Sequence, residues 1–254
     1  MAVSGVYGLD RFRDYMLGFE DCYTVIGGTA CDVILRDADL PFRQTKDIDL
    51  ILLIENRFPE MGKAVWKLVK DGGYRCGWKS SNEVHFYRFT EPTTQGFPSM
   101  IELFSTVPTF IDDAEEITIV SLPIDDEVSS LSAILLNTDY YEFMKSGRKT
   151  VDGLSVLDEA HLIPFKAKAY LDLSTHKARG EHVNSGDLKK HKKDVFRLAQ
   201  LLGFGQRVEL VSSIKSDMSV FCEAVRQEGV PLKQIGVQMT LEESIDLLYS
   251  VYGL

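Results

Sequence analysis

Tyr23-Thr24-Val25-Ile26-Gly27-Gly28-Thr29-Ala30-Cys31-Asp32-Val33-Ile34-Leu35 passes from a short apolar run through two glycines into a segment with helical spacing. The reading is a buried strand over Tyr23–Ile26, a turn at Gly27-Gly28 and a helix over Thr29–Leu35. Glycine lets the backbone come close to a ligand, and the free N–H groups of a first helical turn favour anionic oxygen. Such a turn need bind nothing, so its neighbours decide its meaning.

Upstream, Phe12, Tyr15, Met16 and Phe19 recur at helical spacing and predict a helix over Leu9–Phe19. Downstream, a polar loop with Pro41 covers Asp37–Lys46, and an Ile/Leu-rich strand follows over Asp47–Glu55. Pro59 near its start and Gly72-Gly73 at its end bracket a helix over Pro59–Lys70. Three strands are then expected, Tyr74–Trp78, Val84–Phe89 and Met100–Phe104, separated by Ser81-Asn82 and by Pro92–Pro98. Beyond Pro123 the spacing is helical: Ser129–Met144, Pro164–Thr175, Asp187–Leu202, Val208–Gln227 and Leu241–Tyr252, with a mobile loop expected over Lys177–Gly186. The fold class is therefore α+β: a mixed sheet with flanking helices over 1–150, then a helical domain over 151–254, with a boundary near Thr150.

The 254 residues, 44% of them hydrophobic, suffice for one large core or two modest ones. With 38 acidic residues against 28 lysines and arginines, the overall field repels polyanions and anionic membranes, so nucleic acid would need a local basic patch. Cys22, Cys31, Cys76 and Cys222 show no metal-type spacing and read as reduced thiols of a cytoplasmic protein. The N-terminus has no export signal, and the longest apolar run, Leu50–Ile54, is too short to cross a bilayer. No membrane association is expected.

Asp47 and Asp49 alternate on one strand and so share a face. Two carboxylates held that close repel unless a cation sits between them, and Mg²⁺ prefers such oxygen donors together with substrate phosphates. In isolation, the same pattern is the solvated start of a strand. Glu102 is a lone acid in the apolar strand Ser99-Met100-Ile101-Glu102-Leu103-Phe104, where burial without a partner would be costly. Either it joins the aspartates, or it forms a structural ion pair with an arginine such as Arg88.

In the helical half, Leu162, Ala169, Tyr170 and Leu173 make one apolar stripe with Lys166 in its middle, while Lys168 falls on the polar side. An inward lysine needs a negative partner, which a triphosphate would supply, unless its ammonium snorkels to the surface. Asp194 stands four and seven residues before Leu198 and Leu201 and so borders the next buried face. Lys189, Lys190, Lys192 and Lys193 could hold an RNA backbone, although such runs are more often a solvated face. His161, His176 and His182 have no metal-ligand spacing.

Gly27-Gly28, Thr45-Lys46-Asp47-Ile48-Asp49-Leu50 and the later acid Glu102 together resemble the signature of the polymerase-beta-type nucleotidyltransferase superfamily. Gly27-Gly28-Thr29-Ala30 and the Thr45–Leu50 stretch look most like its AbiEii-type branch, which includes toxins of toxin–antitoxin and phage-defence systems. The third acid is Glu where Asp is more frequent, and the segment between Gly28 and Asp47 is long. The resemblance covers most of residues 23–202. It implies that Asp47, Asp49 and Glu102 bind two metal ions, Mg²⁺ or alternatively Mn²⁺, and that Gly27, Gly28, Thr29 and Lys46 line the nucleoside triphosphate. Phe165-Lys166-Ala167-Lys168-Ala169 and Lys193-Asp194-Val195-Phe196 resemble two further motifs of that branch. By them, Lys166 would contact phosphate and Asp194 would orient it or the acceptor. The implied activity is transfer of NMP from NTP to an acceptor such as tRNA, with a cognate antitoxin as partner. A small-molecule nucleotidyltransferase of the antibiotic-modifying kind, and a catalytically silent nucleotide-binding module working through a protein partner, are the alternatives. Residues 203–254 match nothing in the family.

Overall fold

The computed structural model describes residues 5–53, 58–81, 84–105, 119–121, 134 and 137–254. The chain divides into two compact units, Met1–Pro123 with Arg148–Leu157, and Ile124–Gly147 with Asp158–Leu254.

The first unit is built on eight strands: β1 (Tyr23–Ile26), β2 (Asp47–Leu52), β3 (Arg75–Ser81), β4 (Val84–Thr90), β5 (Met100–Ser105), β6 (Ile119–Ser121), β7 (Arg148–Val151) and β8 (Leu154–Leu157). They form one mixed sheet in the order β6-β3-β4-β5-β2-β1-β8-β7. β2 runs antiparallel to β1 and parallel to β5, and β5 is antiparallel to β4. Helices α1 (Leu9–Met16), α2 (Gly27–Asp37) and α3 (Phe58–Gly72) complete the unit, with α2 packed on β1 and β2. The fold is α+β, as the alternation of periods predicts. Every residue of β1 is buried, which explains its unbroken Tyr-Thr-Val-Ile run. In β2 the half-buried positions are Asp47 and Asp49, and the rest of the strand is core.

Three strands are additional to the sequence expectation. The hairpin β7–β8 was not expected, although Val151-Asp152-Gly153-Leu154 carries its signal: Asp152 and Gly153 both have positive φ, 48° and 74°, as a two-residue hairpin turn demands. The short β6 also went unread. The helix expected from Ser129 is described only over Thr138–Ser146, and its earlier part, apart from Ile134, lies outside the described residues, as do Glu55 and Asn82.

The second unit is helical: α4 (Thr138–Ser146), α5 (Glu159–Ala178), α6 (Ser185–Ala199), α7 (Ser212–Glu228) and α8 (Leu241–Tyr252), with a 3₁₀ turn over Leu232–Ile235. Side-chain caps start four of the helices: Asn137, Asp158, Asn184 and Thr240, the last in a capping box with Glu243. α5 packs against α4, α6 and α7. It begins at Glu159 rather than Pro164, so Pro164 falls inside the helix. Proline has no N–H for the carbonyl four residues back. That carbonyl, on Ala160, instead accepts a hydrogen bond from the Tyr252 hydroxyl at 2.7 Å, so the end of α8 mends the break in α5. Tyr252→Phe is expected to destabilise the protein by about 1–3 kcal/mol, because it leaves a buried acceptor unmet. The cost should shrink in a Pro164→Ala background, where the helical donor returns; equal costs in both, read by denaturant melts, would refute the pairing. Among the described residues no helix is long and apolar enough to cross a membrane, and all four cysteines are buried.

Candidate active site

Parallel pairing of β2 with β5 sets Asp47 beside Met100 and Asp49 beside Glu102. Antiparallel pairing of β5 with β4 continues both rows, Glu102 to Arg88 and Met100 to Thr90. Because alternate residues share a face, Asp47, Asp49, Glu102 and Arg88 lie on one side of the sheet. Glu102, distant in sequence, is thus a neighbour of the two aspartates by register alone.

The glycine turn abuts this row. Ile26, the last residue of β1, pairs with Asp49, and Gly27 follows with φ 67°, a backbone region that favours glycine. A Cβ on Gly27 would collide with the Asp49 carboxylate, so glycine is required there for two reasons. A Cβ on Gly28 would stand 2.7 Å from the Thr45 hydroxyl and 3.4 Å from the Arg43 guanidinium. Thr29 is buried and donates from its hydroxyl to the Asp47 carbonyl at 2.6 Å, which ties the start of α2 to the start of β2. Lys46 is exposed.

Glu102 is 8% exposed. Burial raises its carboxyl above the usual range, while a hydrogen bond with the Asp49 carboxyl and the charge and hydrogen bonds of Arg88 pull it down; Asp47 pushes it up again. Burial is the largest of these effects, so Glu102 keeps its proton to a higher pH than an exposed carboxyl does, which lowers the charge of the row as pH falls. Arg88 does the rest: its Nε and Nη2 both reach Glu102 Oε1 at 2.6 Å, and its guanidinium stands over the Phe86 ring. The two sequence alternatives for Glu102, joining the aspartates and pairing with Arg88, are both realised. Among the described residues no group of three or more acidic, histidine or cysteine side chains is gathered to hold a metal ion.

Lys166 and Asp194 belong to the second unit. Lys166 is 4% exposed on α5, in the same stripe as Ala169, Tyr170 and Leu173, and has no ion-pair partner among the described residues. Asp194 is fully buried on α6 and is held by Arg197 at 2.8 Å. Of the lysine run, Lys190 pairs with Asp187 and Lys192 with Glu228, and only Lys189 is exposed.

No protein-family model matches the chain, and a search of curated proteins gave no match. Among the solved structures that resemble it loosely are the following two. An antigenic nucleotidyltransferase-like protein from Paracoccidioides brasiliensis aligns over 96% of this chain and 94% of its own, at 12% identity and a TM-score of 0.44. MenT4, a nucleotidyltransferase toxin from Mycobacterium tuberculosis, aligns over 94% and 92%, at 15% identity and a TM-score of 0.22. Likenesses at that level carry no weight for what the site does.

One cation beside the turn escaped the sequence reading. Arg43 lies in the polar loop before β2, where periodicity is silent, and only the fold brings its guanidinium against Gly28.

Proposed function

We propose that this chain is a divalent-metal-dependent nucleotidyltransferase, moving NMP from NTP to an acceptor hydroxyl or phosphate with release of pyrophosphate. The observation that carries the reading is the placement of Asp49 between Glu102 on one side and the Gly27 backbone on the other.

Asp47 and Asp49 fit Mg²⁺ well: they are half-buried, share a face and offer hard oxygen donors, and this ion is usually held by one or two carboxylates plus substrate phosphates. Bound there, the metal would neutralise phosphate charge and favour an in-line displacement. Arg88 holds Oε1 of Glu102, so in the two-metal form of the reading Glu102 would offer its other oxygen to the second ion while keeping the ion pair. Gly27 and Gly28 leave the backbone accessible to phosphate oxygens, with Arg43 and Lys46 as cations flanking the turn. Lys166, largely buried on α5 and without an ion-pair partner among the described residues, would contact phosphate. Asp194, already held by Arg197, would orient Lys166 or the acceptor. Positioning and charge neutralisation would supply the catalysis.

We further propose an AbiEii-like toxin or defence role in the cytoplasm, with tRNA as acceptor and a cognate antitoxin as partner. A second reading, transfer to a small molecule of the aminoglycoside or lincosamide kind, is favoured by the net charge of -10 and by the acidic partners of Lys190 and Lys192. Incubation with labelled NTPs, Mg²⁺ or Mn²⁺, and either total tRNA or these antibiotics separates them. Label on tRNA supports the toxin reading; label confined to antibiotics overturns it; pyrophosphate release with neither overturns both acceptors, and NTP binding with no release overturns the transferase.

A further inference from the structure

Across β2, β5 and β4 the row Asp47–Met100–Thr90 runs alongside the acidic row. It ends in a cavity of about 620 Å³ whose lining includes Tyr7, Thr90, Gln95, Phe97, Ser99 and Met100. Neighbouring strands are about 5 Å apart, so the Met100 edge of this cavity is one strand spacing from Asp47.

Three properties suit this open groove to a ligand. It is built in advance: the loop that forms it is fixed by Thr93 and Thr94 N–H donating to the Gly72 carbonyl at 3.0 and 3.1 Å, the Thr94 hydroxyl to the Asp71 carbonyl at 2.8 Å, and the Tyr74 hydroxyl to the Pro98 carbonyl at 2.6 Å. Gly96 N–H donates to the Tyr7 hydroxyl at 2.8 Å, which ties in the far wall. It offers a flat apolar surface: Tyr7 is 61% exposed although its hydroxyl is engaged. Finally, among the described residues no lysine or arginine lines it, and the carboxylate that does, Glu91, is held by Arg75 at 2.7 Å. Arg11 stands over the Phe97 ring but does not line the cavity. A lining without cations does not suit phosphate. Hydroxyls, an amide and an aromatic face suit an uncharged planar heterocycle.

We propose that this cavity is a nucleobase subsite, one strand from the carboxylate pair, which takes the base of the NTP or of the acceptor. The assignment rests on the transferase reading for its role, but its binding can be read separately. The probes are the four ribonucleosides, without phosphate and without metal, followed by ligand-observed NMR on the full chain. At least one should bind in the millimolar range. Tyr7→Ala should weaken it about tenfold, the scale of losing one stacked base. Tyr7→Phe, which keeps the ring and loses only the contact with Gly96, should bind as the parent does. In transfer assays a raised KM for NTP in Tyr7→Ala identifies the donor's base, and a raised KM for the acceptor identifies the acceptor's. The proposal is overturned if no nucleoside binds, or if binding is indifferent to Tyr7→Ala and Gln95→Ala in protein with an unchanged melting temperature. Nucleoside binding without any transfer would leave the cavity standing and remove the transferase; transfer without nucleoside binding would do the reverse.

Discussion

Asp49→Ala is expected to reduce nucleotidyl transfer by about a thousandfold or more while leaving the melting temperature unchanged or higher. The first half follows from the proposed role: a metal held against phosphate supplies several kcal/mol of charge stabilisation, and each 1.36 kcal/mol is about tenfold in rate. The second half weighs two effects. Asp47 and Asp49 are two residues apart on β2, about 6.6 Å, where like charges repel by roughly 2–3 kcal/mol at an effective dielectric near 20, less where solvent reaches them. Against this, the alanine loses the hydrogen bond between Asp49 and Glu102, whose net worth is about 1 kcal/mol. Relief of repulsion therefore offsets or exceeds the loss. Pyrophosphate release and a thermal melt measured on the same preparation decide it. A fall of many degrees would make Asp49 a structural residue and remove the central support of the enzymatic reading.

What the sequence made legible was whatever depends on local period. The strand, glycine turn and helix at 23–35, the strand carrying Asp47 and Asp49, and most of the later helices are found close to where spacing placed them. The elements that escaped depend on partners far along the chain. β8 lies parallel to β1 through Val25 and Val156, a pairing for which neither segment carries a local mark. Its hairpin turn is marked locally by Asp152-Gly153, whereas the four-residue strands on either side are too short to establish a period. Pro164 looked like a helix start because proline is favoured in the first turn. The helix extends back past it because the Asp158 side chain caps the N–H of His161 and Tyr252 serves the orphaned carbonyl. At the site, the pairing of Asp47 and Asp49 on a face followed from alternation, whereas the neighbourhood of Glu102 needed the register of three strands. Sequence named both candidates for Glu102, the aspartates and Arg88, but as alternatives, and not that it would stand between them.

Arg88→Met is expected to cost the fold about 3–5 kcal/mol near neutral pH, the scale of removing one partner of a buried ion pair. Both side chains are largely out of water, and the guanidinium is the main positive charge opposing the burial of Glu102. The cost should depend on pH in a definite direction. Glu102 titrates above the ordinary carboxylate range, chiefly because it is buried, so the folded state binds its proton more tightly than the unfolded state does. Its contribution is therefore fully present below the unfolded pKa and is lost as pH rises through the folded one. Without Arg88 the folded pKa moves further up and the window of loss widens toward neutrality. In melts with a chelator present, the gap between Arg88→Met and the parent should be small near about pH 5, where the carboxyl can hold a proton, and large near about pH 8. Replacing both partners, Arg88→Met with Glu102→Leu, should recover most of the stability, because two apolar chains of similar size leave no charge behind. A gap that stays constant with pH would assign Arg88 to packing against Phe86 rather than to holding Glu102. The double variant then separates stability from chemistry: it should fold well, and if it still transfers nucleotide at the parent's rate, Asp47 and Asp49 suffice and Glu102 serves only as the arginine's counter-ion.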